Sequence, residues 1–465
     1  MTSAPLAGLG SFLMHIHILG ICGTFMGGIA LLARQLGHRV TGSDANVYPP
    51  MSDELREQGI EIIQGYDPAQ LEPAPDLVVV GNAMKRGNPC VEHMLNRRLP
   101  FVSGPEWLED HVVSRFKVLA VAGTHGKTTT ASMLAWVLDQ AGLDPSFLIG
   151  GVTGGFGVSA RLGQGEYLVL EADEYDTAFF DKRSKFVHYH PWVQILNNLE
   201  YDHADIFASV EDIRRQFHHL IRTIPSEGWI LAPAGDENIR KTLEMGCWSH
   251  LEYEDGPEGR FTAVLLEKDG SSFKVMCGDQ EVARVSWSGI GLHNVHNALM
   301  VIAAAEKIGI SPADSAAALG SFVMPRRRMQ LVGRERGVAV YDDFAHHPTA
   351  IRTTVGGLRA SVGKDRILAV LEPRSNTMKM GVFREQIGPA LNEADQVFVY
   401  APDSISWDAS VIARTCTSPV LVEEDFDRLV AAVLREAREG DRILVMSNGG
   451  FNGIHQKLLE GLRKA

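Results

Sequence analysis

The sequence feature that most constrains the fold is a glycine turn placed between a strand and a helix. The apolar run Lys117-Val-Leu-Ala-Val-Ala122 leads into Gly123-Thr-His-Gly-Lys-Thr-Thr-Thr130, and a helical pattern continues to about Gly142. Backbone N–H groups in such a turn, together with the start of a helix, attract phosphate oxygens. The segment predicts a nucleotide site, with Lys127 on the β and γ phosphates and the Thr128 hydroxyl on magnesium.

The match to the P-loop pattern is incomplete. The strict pattern has a glycine six residues before the lysine, whereas this chain has Val121. The alternative is a glycine turn without a ligand. Because the Gly-Lys-Thr triplet sits between a strand and a helix, the pattern favours an ATP site.

The chain of 465 residues is too long for one hydrophobic core, so about three domains are expected. Strand and helix signals alternate throughout, which predicts an α/β protein with parallel sheets. Residues 1–13 are expected to be a disordered tail or the result of a misplaced start. The predicted domains are a first Rossmann-like domain at 14–113, a central P-loop domain at 114–325 and a C-terminal Rossmann-like domain at 326–465.

Composition excludes several classes of protein. The formal net charge of −13 argues against a general nucleic-acid binder. No apolar run approaches the roughly 18 residues of a membrane span, and the N-terminal stretch lacks the basic start of a secretory signal. Five scattered cysteines with no Cys-x-x-Cys pair indicate reduced thiols. These features predict a cytoplasmic protein without a membrane or nucleic-acid partner.

Carboxylates follow the predicted strand Tyr167-Leu-Val-Leu-Glu171, in the sequence Glu171-Ala-Asp-Glu-Tyr-Asp176. Mg²⁺ prefers oxygen ligands and keeps several waters. An acid cluster in a loop is more often simply solvated. Its place about forty residues beyond a P-loop favours a magnesium site.

Histidines offer further metal ligands. His203 ends the sequence Asn197-Asn-Leu-Glu-Tyr-Asp-His203 after another strand, although a lone histidine is more often a packed or surface residue. The pairs His218-His219 and His346-His347 are not expected to chelate one ion, because adjacent side chains point apart on a helix or strand.

A second glycine turn opens the first domain. Gly20-Ile-Cys-Gly-Thr-Phe-Met-Gly27 leads into a helical pattern, and Ser43-Asp44 ends the next strand. Cys22 occupies the middle glycine position of a dinucleotide fingerprint, so the spacing departs from G-x-G-x-x-G. A pyrophosphate at the helix start and a ribose or base near Asp44 are still physically reasonable.

In the order of its motifs the chain resembles the Mur ligase family from Met14 onward. The glycine turn is followed by Glu-Ala-Asp-Glu, Glu-Tyr-Asp-His, His293-Asn-Val-His-Asn297 and Asp342-Asp-Phe-Ala-His-His-Pro348. The resemblance implies that the first domain binds a UDP-sugar, that the central domain binds ATP, and that the third domain closes over both.

The resemblance also implies roles for individual residues. The UDP-sugar ligands would be Gly20, Gly23, Thr24, Gly27, Ser43, Asp44 and Asn82. The ATP ligands would be Gly123, Thr124, His125, Gly126, Lys127, Thr128, Thr129, Asn294, Asn297, Arg328, Asp343 and His346. Thr128 and Glu171 would hold one Mg²⁺ and His203 a second, and the catalytic residues would be Lys127, Glu171 and His203.

The activity that the resemblance implies is amide-bond formation. ATP would phosphorylate the lactoyl carboxylate of UDP-N-acetylmuramate, and the amine of recycled L-Ala-γ-D-Glu-meso-diaminopimelate would attack the acyl phosphate. One alternative is a ligase that adds L-alanine to the same UDP-sugar. Another is a nucleotide-gated switch without chemistry, which explains neither the second glycine turn nor the acid cluster.

The chain departs from the family in two places. Several members carry a carbamoylated lysine after the Asp-His motif, but no lysine occurs between Ala204 and Arg240. Members that add diaminopimelate itself have Asp-Asn-Pro-Arg, where this chain has Ala401-Pro-Asp-Ser404. The basic and aromatic segment 181–190 either binds peptide carboxylates or is a solvated loop.

Overall fold

A computed structural model describes residues 13–47 and 51–464 of the chain. Residues 1–12 of the predicted tail lie outside the described residues. The chain divides into two compact units. Unit 1 contains the described parts of 1–118, 143–151 and 158–190, and unit 2 contains those of 119–142, 152–157 and 191–465.

The strands, in chain order, are β1 (His15–Leu19), β2 (Arg39–Asp44), β3 (Glu61–Gln64), β4 (Leu77–Val80), β5 (Phe101–Ser103), β6 (Lys117–Ala122), β7 (Ser146–Leu148), β8 (Ala160–Arg161), β9 (Tyr167–Ala172), β10 (Val193–Leu196), β11 (Trp229–Pro233), β12 (His250–Glu254), β13 (Phe261–Leu265), β14 (Ser272–Cys277), β15 (Gln280–Ser286), β16 (Gln330–Glu335), β17 (Val338–Asp343), β18 (Ile367–Leu371), β19 (Gln396–Tyr400), β20 (Val420–Glu423) and β21 (Arg442–Met446).

The α-helices are α1 (Thr24–Gln35), α2 (Met51–Glu57), α3 (Pro89–Arg97), α4 (Gly104–His111), α5 (Lys127–Gln140), α6 (Val210–Ile221), α7 (Glu237–Glu244), α8 (Leu292–Glu306), α9 (Pro312–Gly320), α10 (Pro348–Val362), α11 (Asn376–Lys379), α12 (Arg384–Ala390), α13 (Ser410–Thr415), α14 (Phe426–Glu436) and α15 (Ile454–Lys464).

Unit 1 contains a parallel sheet with the strand order β3-β2-β1-β4-β5. The order reverses beside β1, and the turn after β1 leads into α1. Ligands of open α/β sheets bind at such a reversal, outside the carboxyl ends of the strands. In the same unit β7 pairs antiparallel with β8 and parallel with β9.

In unit 2, β10 pairs in parallel with both β6 and β11, and β11 pairs with β12. Leu196 at the end of β10 lies opposite Ala122 at the end of β6. This register brings the segment after β10 to the turn after β6. Helix α5 begins directly after that turn and packs against α8 and α9.

A three-stranded antiparallel sheet, β13-β14-β15, adds to the central part of unit 2. The sequence patterns did not predict it. The C-terminal part of the unit has a sheet of order β16-β17-β21-β18-β19-β20, parallel except for β16. Apolar residues of β17, β18, β19 and β21 are fully buried beneath its helices. The predicted α/β architecture with parallel sheets is confirmed.

Among the described residues, no helix combines the length and apolar character that crossing a membrane requires.

Candidate active site

The central glycine turn (residues 123–126) adopts backbone angles that favour glycine. Gly126 has φ +77° and Gly123 has φ +150°. A Cβ atom on Gly123 would lie 2.9 Å from the Cβ of Asn197, and one on Gly126 would lie 2.9 Å from Asn197 Nδ2. A side chain at either position would therefore strain the turn and displace Asn197.

Side chains that follow β10 hold the backbone of this turn. Asn198 Oδ1 accepts from the His125 amide at 2.8 Å, and Asn198 Nδ2 donates to the His125 carbonyl at 3.1 Å. The Thr124 amide donates to the Asn198 carbonyl at 3.2 Å. The pairing of β6 with β10 thus fixes the shape of the turn.

A chain of buried amides supports the turn from α8. Asn197 Nδ2 donates to Thr130 Oγ1 at 2.8 Å and to Asn297 Oδ1 at 3.2 Å, and Asn297 Nδ2 lies 3.4 Å from Asn294 Oδ1. Asn294 and Asn297, the predicted adenine ligands, therefore form hydrogen bonds with other protein groups on the α8 side of the glycine turn. Their contact with adenine stays a prediction.

Two cations reach the start of α5. Lys127 Nζ donates to the Gly123 carbonyl at 2.5 Å, so its ammonium group lies over the turn. Arg328 Nη2 donates to Thr128 Oγ1 at 3.2 Å. These charges, with the helix start, make a region suited to a polyanion. Thr129, another predicted ATP ligand, is buried in the first turn of α5.

Asp343 and His346, predicted from the third domain, are bound to its backbone. The Asp343 carboxylate accepts from the amides of Met329 and Ala345 at 2.7 and 2.8 Å. Burial raises the pKa of Asp343, and the Arg328 charge opposes that shift. His346 Nδ1 donates to the Phe344 carbonyl at 2.9 Å, and burial lowers the pKa of His346 to about 4.

Glu200 was not among the predicted site residues. Its carboxylate accepts from His125 Nε2 at 3.0 Å and from the Thr349 hydroxyl at 3.0 Å, and it lies 3.3 Å from His347 Nδ1. Among the described residues, potential ligand atoms of three metal-binding side chains lie within 4.8 Å of one another at His125, Glu200 and His347. The Glu-Tyr-Asp-His motif contains the signal that could have identified Glu200.

His203 lies in unit 2 with the unusual φ of +53°. The neighbouring Asp202 is buried. Burial would raise the pKa of Asp202, but the charges of His203 and His346 outweigh it and lower that pKa. Thr128 and His203, two of the predicted metal ligands, thus both belong to unit 2.

Glu171, the third predicted metal ligand, lies at the end of β9 in unit 1. Its Oε2 accepts from the Gly150 amide at 2.7 Å. Gly150 lies so close that an added Cβ would be 2.8 Å from that oxygen. The carboxylate is held by the backbone of its own unit.

The first glycine turn (residues 20–23) in unit 1 is held by the end of β2. The amides of Gly20 and Ile21 donate to the Ser43 carbonyl at 2.8 and 3.2 Å. Asp44 accepts from the Cys22 amide at 3.0 Å and from the Asn46 amide at 3.0 Å. Ser43 and Asp44 are therefore next to the turn, as their positions in the sequence predicted.

Helix α1 begins at Thr24, and its N-cap, Gly23, supplies no side-chain acceptor to the first turn. Gly27 packs so closely that an added Cβ would lie 2.1 Å from Met51 Sδ. Asn82 comes two residues after the end of β4. The intervening residue, Gly81, donates its backbone amide to the Leu19 carbonyl at 3.0 Å. The predicted UDP-sugar residues thus gather around the end of β1, and their ligand stays a prediction.

The segment 181–190 is part buried and part exposed, with Lys182, Arg183 and His190 at the surface. Lys185, Phe186 and His188 are buried. Basic side chains of the segment lie next to acids of unit 1: Lys182 next to Asp176, Arg183 next to Asp181, Lys185 next to Asp173, and both His188 and His190 next to Glu109. Binding of peptide carboxylates by this segment stays a prediction.

Three family models match the chain. The model of the Mur ligase family catalytic domain matches residues 15–115, that of the Mur ligase middle domain matches 121–305, and that of the Mur ligase glutamate ligase domain matches 327–449. The predicted domain limits at 113 and 325 stay predictions.

Known proteins are similar over nearly the whole length. The UDP-N-acetylmuramate--L-alanyl-gamma-D-glutamyl-meso-2,6-diaminoheptandioate ligase of Escherichia coli (strain K12) is 59% identical, over 97% of this chain and 99% of its own. The UDP-N-acetylmuramate--L-alanine ligase of Syntrophomonas wolfei is 33% identical, over 96% and 97%.

A solved structure agrees with these relatives. The murein peptide ligase of Psychrobacter arcticus 273-4 is 48% identical and superposes with a TM-score of 0.76, over 97% of this chain and 99% of its own. The expectation of three α/β domains of this type is thus confirmed. With the turn, the motifs and the fold in agreement, the chain belongs to the Mur ligase family, whose members are ATP-dependent amide-forming ligases.

Proposed function

We propose that the chain is a ligase that joins the amine of L-alanyl-γ-D-glutamyl-meso-diaminopimelate to the lactoyl carboxylate of UDP-N-acetylmuramate, with hydrolysis of ATP. The observation that carries the proposal is 59% identity, over nearly the full length, to a relative named for this reaction. The reaction belongs to cell-wall recycling, and we propose that it takes place in the cytoplasm.

We assign each substrate to one domain. Domain 14–113 binds the UDP-sugar through the first glycine turn, Ser43, Asp44 and Asn82. Domain 114–325 binds ATP through the central glycine turn, and domain 326–465 contributes Arg328, Asp343 and His346. The cationic pair Lys127 and Arg328 at the start of α5 supports the nucleotide assignment.

The chemistry requires two anions to meet. A carboxylate oxygen of the sugar attacks the γ-phosphorus, the bond to the bridging oxygen of ADP breaks, and an acyl phosphate forms. Lys127 and Arg328 offset the repulsion between carboxylate and triphosphate, and they stabilise the transferring phosphoryl group. The peptide amine then attacks the acyl carbon, loses a proton, and phosphate leaves.

We propose Mg²⁺ as the metal, held by Thr128 and Glu171, with His203 on a second ion. Hydroxyl and carboxylate oxygens are the hard ligands that Mg²⁺ prefers, so the chemistry of Thr128 and Glu171 fits. Imidazole is a softer ligand, and at His203 the buried Asp202 adds a carboxylate beside it. When bound, Mg²⁺ neutralises charge on the phosphate oxygens.

The test is phosphate release from ATP with UDP-N-acetylmuramate present, without acceptor, with the tripeptide, and with L-alanine. We expect rapid release with the tripeptide and a product heavier than the UDP-sugar by the tripeptide minus water. The 33% identical relative named for L-alanine supports a second candidate, an L-alanine ligase. Faster turnover with L-alanine than with the tripeptide would replace the first proposal by the second.

A further inference from the structure

The segment between β10 and α6 touches the central glycine turn through Glu200. The Glu200 amide donates to Thr124 Oγ1 at 2.8 Å, and that hydroxyl is 3.2 Å from the Glu200 carbonyl. The Glu200 side chain accepts from His125 Nε2 at 3.0 Å. Backbone and side chain of one residue thus hold two successive residues of the turn.

The same segment touches the C-terminal domain at several points. Thr349, in the first turn of α10, donates to Glu200 Oε1 at 3.0 Å. The Ala204 amide donates to Thr377 Oγ1 at 3.1 Å, and Asn376 Nδ2 donates to Asp205 Oδ2 at 2.8 Å. Residues 200–205 therefore bind both the central glycine turn and the domain that follows Arg328.

The protonation state of His347 determines whether it adds a positive charge next to Glu200. Its Nδ1 accepts from the Thr349 amide at 3.2 Å, so Nε2 carries the proton and donates to the Tyr201 carbonyl at 3.3 Å. Burial lowers the pKa of His347 to about 4, which makes the ring neutral at neutral pH. Burial opposes ionisation of Glu200, but hydrogen bonding and charge from His125 prevail and lower its pKa. Glu200 is thus a carboxylate with donors on two domains.

We propose that Glu200 is a positioning residue that couples the central glycine turn to α10, so that the C-terminal domain docks only on a correctly shaped turn. The inference rests on the proposed function for its reaction step, since docking would bring the acceptor side of the enzyme to the phosphorylated acid. One carboxylate oxygen accepts from His125 and the other accepts from Thr349, so the two hydrogen bonds are coupled through a single rigid carboxylate.

The variants Glu200→Ala and Thr349→Val test the proposal. Alanine removes both acceptor oxygens, whereas glutamine would keep both hydrogen bonds, because its NH2 can donate to the Thr349 hydroxyl while its Oε1 accepts from His125. Valine removes only the hydroxyl that comes from α10. Thr349→Ser restores that hydroxyl, and Glu237→Gln, exposed on α7, is the control.

Amide hydrogen exchange of residues 345–355 is measured in the full chain, with and without a non-hydrolysable ATP analogue and UDP-N-acetylmuramate. We expect the ligands to slow exchange in the wild type, in Thr349→Ser and in Glu237→Gln. In Glu200→Ala and Thr349→Val this protection should be lost, and in Thr349→Val the affinity for the analogue should change less than threefold. In turnover, kcat should fall at least tenfold in each, and the double variant should lose no more than the worse single variant.

Wild-type protection in either Glu200→Ala or Thr349→Val would overturn the proposal, and so would losses of kcat that add in the double variant. The exchange readout needs no acceptor peptide. A failure of the tripeptide assay in the wild type, with protection of 345–355 intact, would therefore refute the proposed function and leave the coupling standing.

Discussion

The two glycine turns of the molecule follow equivalent strands but are built differently. The central glycine turn is held by side chains of Asn197, Asn198 and Glu200 and is followed by Lys127. The first glycine turn is held by the Ser43 carbonyl and the Asp44 carboxylate. From Gly20 to Ala33 the sequence contains no lysine or arginine.

The difference indicates which ligand each turn can hold. A lysine beside backbone amides suits a triphosphate, whose charge needs a full cation. A turn without a cation, next to a carboxylate, suits a less charged group and the hydroxyls of a sugar. Under the proposed assignment, similar strand–turn–helix patterns would separate ATP from a UDP-sugar through the residues that surround the glycines.

The largest effect is expected for Lys127→Ala. Loss of the cation should lower kcat by about 10²–10³-fold, because the charge acts where the phosphoryl group transfers. Phosphate release measures kcat, and affinity for the UDP-sugar should not change. Lys117→Ala, exposed at the start of β6, is the control. Turnover within threefold of wild type would contradict the claim that Lys127 adapts the central glycine turn to a triphosphate.

Replacing a glycine with alanine should affect the two turns unequally. At Gly126 the new Cβ would lie 2.9 Å from Asn197 Nδ2 and 3.0 Å from Asn297 Oδ1, and φ is +77°. At Gly20, where φ is +84°, the first atom met is Met84 Cε at 3.4 Å. Both variants incur about 1–2 kcal/mol of backbone strain, but only Gly126→Ala should also weaken ATP binding about tenfold or more. Calorimetric titration with an ATP analogue measures this, and equal affinities in the two variants would contradict it.

A smaller and more selective effect is expected for Asp44→Asn. The carboxylate orders the first glycine turn through the Cys22 amide, and a charged acceptor is worth about 1.5–3 kcal/mol. We expect the KM for UDP-N-acetylmuramate to rise about tenfold while the KM for ATP stays unchanged. Asp53→Asn, exposed on α2, should change neither. An equal rise in both KM values would show that the turns are not independent sites.

The smallest effect at neutral pH concerns the histidines. Burial lowers the pKa of His17, which lies beneath the first glycine turn, to about 4, and it does the same for His346 and His347. Their stabilising contribution is complete above about 6.5 and is lost as pH falls through 4, because the unfolded chain binds protons first. Protection factors, which are corrected for the slower intrinsic amide exchange at lower pH, should fall in both units between pH 7 and pH 5. In His17→Gln this fall should be smaller in unit 1 only, and an unchanged fall there would contradict this assignment.

The sequence predicted well those elements whose apolar runs are buried on both faces. Lys117–Ala122, Gln396–Tyr400 and Arg442–Met446 are strands at the predicted residues. Such runs indicate strands of parallel sheets whatever surrounds them. The strands β13 to β15 were not predicted, because they are half exposed and their partners are set by hairpins rather than by an apolar run.

Sequence reasoning also identified the two turns, but not what holds them. The role of Asn197 depends on the register of β10 beside β6, and that of Glu200 depends on α10, almost 150 residues away. The argument that His346 and His347 point apart agrees with their different partners, the Phe344 and Tyr201 carbonyls. Contacts of this kind come from tertiary packing, which no local pattern contains.

The amides behind the central glycine turn have a consequence for synthesis of the chain. The whole Gly-Lys-Thr motif leaves the ribosome before Asn197, Asn198 and Asn297, which hold it in shape, have been translated. A nascent chain that ends before residue 198 contains every glycine of the motif and lacks its scaffold. Nucleotide binding should therefore begin only late in translation, after these asparagines have been added to the chain.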